Sequence, residues 1–189
     1  AYRSLESTAF ATEARLALLT LYERSRDWPA AIETAMRLEA AGAGSFAQRI
    51  AHYHCELAHE ADARGDLGAA EQALARARQA APQAARPIVM MGERLARQGR
   101  DEEALAAWAE LMAVQPAAFG LIARSYAVSA QSADLVDEAR TRLDTLYTQA
   151  PSAELLQARL ELASDGGERR RLLAEHLHRL ASVTAAAGL

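Results

Sequence analysis

The chain contains no lysine and no asparagine, and all 21 of its basic residues are arginine. Its net charge is −4 with no basic stripe, which argues against nucleic acid as a main partner. A single cysteine, Cys55, excludes an internal disulfide framework and suits a reducing compartment. No apolar run approaches the roughly 18 residues of a membrane span, and no signal-peptide pattern opens the chain. The catalytic motifs GxSxG and HExxH are missing, as are a glycine-rich phosphate loop and any nucleophile–base pair, so no enzyme is expected. Carboxylate pairs such as Glu102 and Glu103 fall at helix starts, where the helix dipole accounts for them. Only three Phe and two Trp are present, so packing must come from smaller side chains. Alanine fills about a quarter of the 189 positions, which favours helix and close helix–helix approach. The arginine-only composition suggests a GC-rich genome and a bacterial origin.

A period then emerges. Gly65 recurs as Gly99, Ala70 as Ala104 and Pro82 as Pro116, each pair 34 residues apart. Three landmarks sharing one spacing identify the tetratricopeptide repeat, a helix–turn–helix unit that must stack on copies of itself to bury its apolar face. The expected fold class is all-α, a right-handed superhelical solenoid of about four repeats plus a degenerate helix pair. The expected units are 12–45, 46–82, 83–116 and 117–151. Small residues mark the helix crossings: Ala58, Ala70 and Ala77 in the second unit; Gly92 and Ala104, with Leu111, in the third; Ala127 and Ala139, with Leu146, in the fourth. The first unit has Tyr22 and Ala31 at matching positions, and its five extra residues belong in the stretch 41–45. One residue inserted near Phe119 explains a 35-residue step between Pro116 and Pro151. Residues 152–189 read as the degenerate fifth pair with a frayed end. Residues 1–11 read as the tail of a truncated preceding repeat, as in a segment cut from a longer array.

In such a superhelix the first helix of each repeat lines the concave face. One helical stripe then gives a partner-binding groove made of Glu13, Arg24, His52, Cys55, His59, Asp62, Arg86, Glu93, Arg97, Arg124 and Gln131. Its interleaved arginines and carboxylates suit a protein or peptide partner carrying both charges. His52, Cys55 and His59 also have a spacing that could bring one Cys and two His to a zinc ion, with Asp62 or a water as fourth ligand. No paired CxxC accompanies them, so no metal is assigned, and partner contact or a structural role comes first. His54 is expected between helices, and His176 and His178 at the surface.

The block Ile50-Ala51-His52-Tyr53-His54-Cys55-Glu56-Leu57-Ala58 resembles a helix of the lipopolysaccharide assembly protein B (LapB) family. Two neighbouring stretches agree: Leu21-Tyr22 through Asp27-Trp28-Pro29-Ala30-Ala31-Ile32 to Arg37-Leu38, and Ile88-Val89-Met90-Met91-Gly92 followed by Gly99 to Ala104. The resemblance covers most of residues 1–163. It implies an adaptor that restrains lipopolysaccharide synthesis by presenting the lipid A pathway deacetylase to the FtsH protease, tuned by other inner-membrane envelope proteins. It implies a cytoplasmic location at the inner membrane, reached through an anchor outside this segment and without direct membrane contact from it. The family's iron-binding, rubredoxin-like domain has two CxxC pairs that this chain lacks, so no cofactor is expected here. Exposed repeat ends leave room for a homodimer.

Two other repeat types fit less well. A co-chaperone clamp holds an acidic terminus with lysines and asparagines, and a sugar-transferase array carries an asparagine ladder. Neither set of residues exists in this chain, and Arg24, Arg97 and Arg124 have a different geometry from lysine.

Overall fold

The structure, a computed structural model, describes residues 10–186. Residues 1–9 of the preceding-repeat tail expected at 1–11, and the last three residues, lie outside that range. Every regular element among the described residues is helical: α1 (Ala11–Ser25), α2 (Trp28–Ala40), α3 (Ala47–Ala63), α4 (Leu67–Ala80), α5 (Ala85–Arg97), α6 (Asp101–Val114), a 3-10 helix (Pro116–Leu121), α7 (Ala123–Ser132), α8 (Val136–Gln149), α9 (Ala153–Leu162) and α10 (Gly166–Ala186). They gather into two compact units, residues 1–90 and 91–189.

Four connections, α1–α2, α3–α4, α5–α6 and α7–α8, are built alike. Each has one residue in the left-handed region: Arg26 (φ 55°), Gly65 (φ 73°), Gly99 (φ 70°) and Asp134 (φ 57°). The next residue donates its amide to a carbonyl five positions back, as Asp27→Tyr22, Asp66→Ala61, Arg100→Leu95 and Leu135→Ala130, at 2.9–3.0 Å. That bond satisfies a carbonyl the helix end would leave bare. Asp27 and Asp66 then cap the following helices, accepting from the amides of Ala30 at 3.2 Å and Ala69 at 3.0 Å. Five residues after each left-handed position stands a buried alanine: Ala31, Ala70, Ala104 or Ala139. A methyl group there lets the paired helices approach closely.

The first unit's core joins Leu19, Trp28, Ala31, Ala35, Leu38, Phe46, Ile50 and Tyr53. Trp28 stacks on Tyr53 with ring centroids 5.9 Å apart. The extra residues at 41–45 form a loop with Gly42 and Gly44 at positive φ. Glu39 ties it down by accepting from the Phe46 amide at 2.5 Å and the Ser45 hydroxyl at 3.2 Å.

In the second unit Gly92 lies against Trp108, and a Cβ at Gly92 would overlap the indole ring. Ala58 and Ala127 are fully buried as well. The residue inserted near Phe119 is absorbed by the 3-10 helix, whose Phe119 packs edge-on to Tyr126 with centroids 5.1 Å apart. The last pair departs from the common turn. Ala163 is extended at φ −64°, ψ 135°, and Asp165 caps α10 by accepting from the Glu168 amide at 2.8 Å. Glu168 returns the favour, accepting from the amide and hydroxyl of Ser164 at 2.7 and 2.8 Å.

Candidate functional site

In the second unit α5 and α7 flank an open groove of about 590 Å³. Glu93, Ala96 and Arg97 of α5 form one wall, with Asp101 at the start of α6. Arg124, Ser125 and Val128 of α7 form the other, followed by Ser129 and Ser132. Three residues assigned to the groove from sequence, Glu93, Arg97 and Arg124, therefore line one cavity. Helical spacing explains it: Glu93 and Arg97 are four apart on α5, as are Arg124 and Val128 on α7. Arg124 is exposed and reaches Glu161 of α9 at 3.3 Å. Gln131, one turn beyond Val128, donates to the Glu161 carbonyl at 3.3 Å. Val128 is an aliphatic side chain left half in solvent, at 51% exposure.

The first unit uses its polar residues differently. Arg86 of α5 donates to Glu56 of α3 at 2.6 Å and contacts Nδ1 of His52. Arg49 of α3 donates to Glu23 of α1 at 2.7 Å, and the Tyr53 hydroxyl donates to the same carboxylate oxygen at 2.5 Å. Burial works to raise the Glu23 pKa, but the bonds from Tyr53 and Arg49 outweigh it and hold the carboxylate below its usual range. Burial and the Glu23 bond push the Tyr53 phenol up to about 12. These pairs bridge successive first helices, so Arg86 and His52 are partly committed to holding that face together. Glu56, which makes the bridge, was not singled out by the groove stripe. Glu13, Arg24 and His59 are exposed, and Asp62 is half-buried.

Cys55 must be withdrawn from the groove and from any metal set. It is fully buried, because it stands four residues after Ala51 and three before Ala58, both of which face the core. Burial pushes its thiol up to about 11, which leaves it an inert, protonated core residue. His52 and His59 remain at the surface, and no group of three or more His, Cys, Asp or Glu among the described residues could hold a metal ion. His54 is buried, as its place off the stripe implied. His178 is exposed, but His176 is not a plain surface residue. Its Nδ1 lies 2.5 Å from the Tyr147 hydroxyl.

That contact belongs to a cluster missed in the sequence. Arg159 of α9 is buried at 7% exposure and donates to Asp144 of α8 at 2.6 Å and Glu175 of α10 at 3.1 Å. Its guanidinium lies 4.2 Å above the Tyr147 ring, with Arg179 at 5.4 Å. With Arg159 on α9, Asp144 and Tyr147 on α8, and Glu175 and Arg179 on α10, the cluster draws on three helices, so no short motif announces it. No helix among the described residues is long and apolar enough to cross a membrane.

No family model matches the chain. It is similar to lipopolysaccharide assembly protein B of Escherichia coli strains K12, O6:H1 and O157:H7, in each case at 29% identity over 174 residues. The match covers 90% of this chain but 40% of each relative, so the chain spans about two-fifths of their length. The resemblance to the lipopolysaccharide assembly protein B family, first visible at residues 50–58, thus extends along most of the chain.

Proposed function

We propose that this chain is a non-enzymatic protein-docking segment of tetratricopeptide type that serves lipopolysaccharide assembly as an adaptor. The observation that carries the reading is the similarity to lipopolysaccharide assembly protein B over 174 residues. Four turns with one left-handed residue apiece, followed at a fixed interval by a buried alanine, support the repeat type. Hairpins of this kind stack into a right-handed superhelix with a concave docking face. By the resemblance the captured protein is the deacetylase committed to lipid A synthesis, and its recipient is the FtsH protease at the cytoplasmic face of the inner membrane. A groove lined by Glu93, Arg97 and Arg124 and open to water suits capture better than catalysis, which needs convergent groups in a closed site.

The test uses purified chain, deacetylase and FtsH. The immobilised chain is expected to retain the deacetylase, and R97E combined with R124E should cut retention by about tenfold or more. Circular dichroism should be unchanged. No retention by the wild-type chain, or retention unaffected by both reversals, overturns the assignment.

A further inference from the structure

We infer that an open cavity among α2, α3 and α4 of the first unit binds an aliphatic monocarboxylate between Arg76 and His54. The cavity measures about 340 Å³, near the lower limit of about 300 Å³ for ligand sites, so it fits a small molecule or the end of a chain. It lies away from the docking stripe. His54 is two residues from His52, which turns it about 200° round α3, and the other walls come from the second helices α2 and α4. His54 is only 9% exposed, and its buried Nδ1 has no hydrogen-bond partner among the described residues. A buried ring nitrogen left bare is costly, so the cavity is short of a polar group. Arg76 of α4 lines the same cavity from an exposed position, and among the described residues no carboxylate pairs with it.

The remaining walls decide which anion fits. Glu39 of α2 lines the cavity too, but its Oε1 already accepts from the Phe46 amide and the Ser45 hydroxyl. Its charge works against a dianion such as phosphate and leaves room for a single negative charge on Arg76. Met36, exposed at 57%, and the buried Ile50 give an aliphatic body apolar surface to cover. A carboxylate matches the planar guanidinium and accepts from it. Burial, and then the Arg76 charge, hold the His54 imidazole below its ordinary pKa range, so it is neutral at neutral pH. Glu39 from α2 and Arg76 from α4 are the charged groups that face it across the cavity, and Ile50 and Ala58, one turn away on α3, carry no charge. A bound carboxylate offsets Arg76 and favours the imidazolium. Binding therefore takes up a proton and tightens as pH falls through the histidine range.

The probe is isocaproate, titrated into the full chain and followed by the histidine C–H signals in NMR. The His54 signal should move saturably while those of His52 and His59 stay in place. Isohexanol, which lacks the charge, and inorganic phosphate, which lacks the aliphatic body, should each bind at least about tenfold more weakly. Arg76→Gln, at an exposed position, should weaken isocaproate binding by about tenfold or more at unchanged helicity. Wild-type affinity should rise about threefold or more from about pH 8 to about pH 6. Acetyl-glycyl-leucine offers the same carboxylate and branched chain at a peptide end. Tighter binding by it assigns the cavity to chain termini, and tighter binding by isocaproate assigns it to free acids; either result supports the site. No saturable His54 shift with either probe, equal binding of isohexanol or phosphate, an unchanged affinity in Arg76→Gln, or an affinity that does not rise on acidification overturns the inference. Retention of the deacetylase is a separate readout, and the adaptor reading stands or falls on that alone.

Discussion

Single residues set the helix spacing in this chain, and glycine does so in two different ways. Gly99 supplies a left-handed turn, whereas Gly92 makes room for Trp108. Gly92→Ala should cost about 1–3 kcal/mol by overpacking, read as a lower urea midpoint. Asp134 occupies the left-handed position that glycine fills at Gly65 and Gly99, so Asp134→Gly should raise stability by about 0.5–1 kcal/mol. If both variants unfold with the wild type, the close approach and the turn strain have been misjudged. Tyr53 makes a pH prediction. Its folded pKa lies above that of a free phenol, so its contribution is intact below about pH 10 and is lost as pH rises towards 12. Glu23 has the opposite sign: its contribution holds at neutral pH and fades on acidification through the ordinary carboxylate range. Tyr53→Phe should flatten the alkaline limb of a stability–pH curve. The alanine and glycine landmarks were readable in sequence because they recur at one interval. The burial of Cys55 was not, since spacings of three and four place it as near to Ala51 and Ala58 as to His52 and His59.

At the scale of elements, the turn from α7 to α8 lacks a glycine, so sequence offered no marker for it. Its left-handed Asp134 is found by adding 35 to Gly99, the same step that separates Pro116 from Pro151. The beat fails in the last pair. A further 35 residues beyond Arg124 lands on Arg159, a groove position by periodicity, yet Arg159 is buried. There it joins α8, α9 and α10 through Asp144, Glu175 and the face of Tyr147. Arg159→Ala should lower stability by about 1–3 kcal/mol. Hydrogen exchange should show α10 losing protection before α7 and α8. Uniform loss across the second unit would mean that Arg159 holds the whole unit rather than its last helix.

For the whole molecule, an all-helical architecture was legible from composition and period. The division into units of residues 1–90 and 91–189 was not, because the repeat pattern runs through that boundary inside α5. The polar residues divide by unit as well. In the first, Glu23, Arg49, Glu56 and Arg86 bridge first helices; in the second, Glu93, Arg97 and Arg124 line an open groove, and Arg124 also bridges to Glu161 of α9. A periodic stripe puts both sets on one face and cannot tell bridge from docking residue, since the difference lies in what stands opposite. Charge reversal at Arg86 would therefore disturb helix contacts along with any docking; reversal at Arg124 also releases its Glu161 contact, so unchanged helicity of R97E/R124E is part of the test. The most direct measurement is a calorimetric titration of the chain with the lipid A pathway deacetylase, run on wild type and on R97E/R124E. The account predicts saturable binding by the wild type and binding about tenfold weaker or more in the variant at equal helicity. Heat that never saturates, or identical affinities for the two proteins, would contradict it.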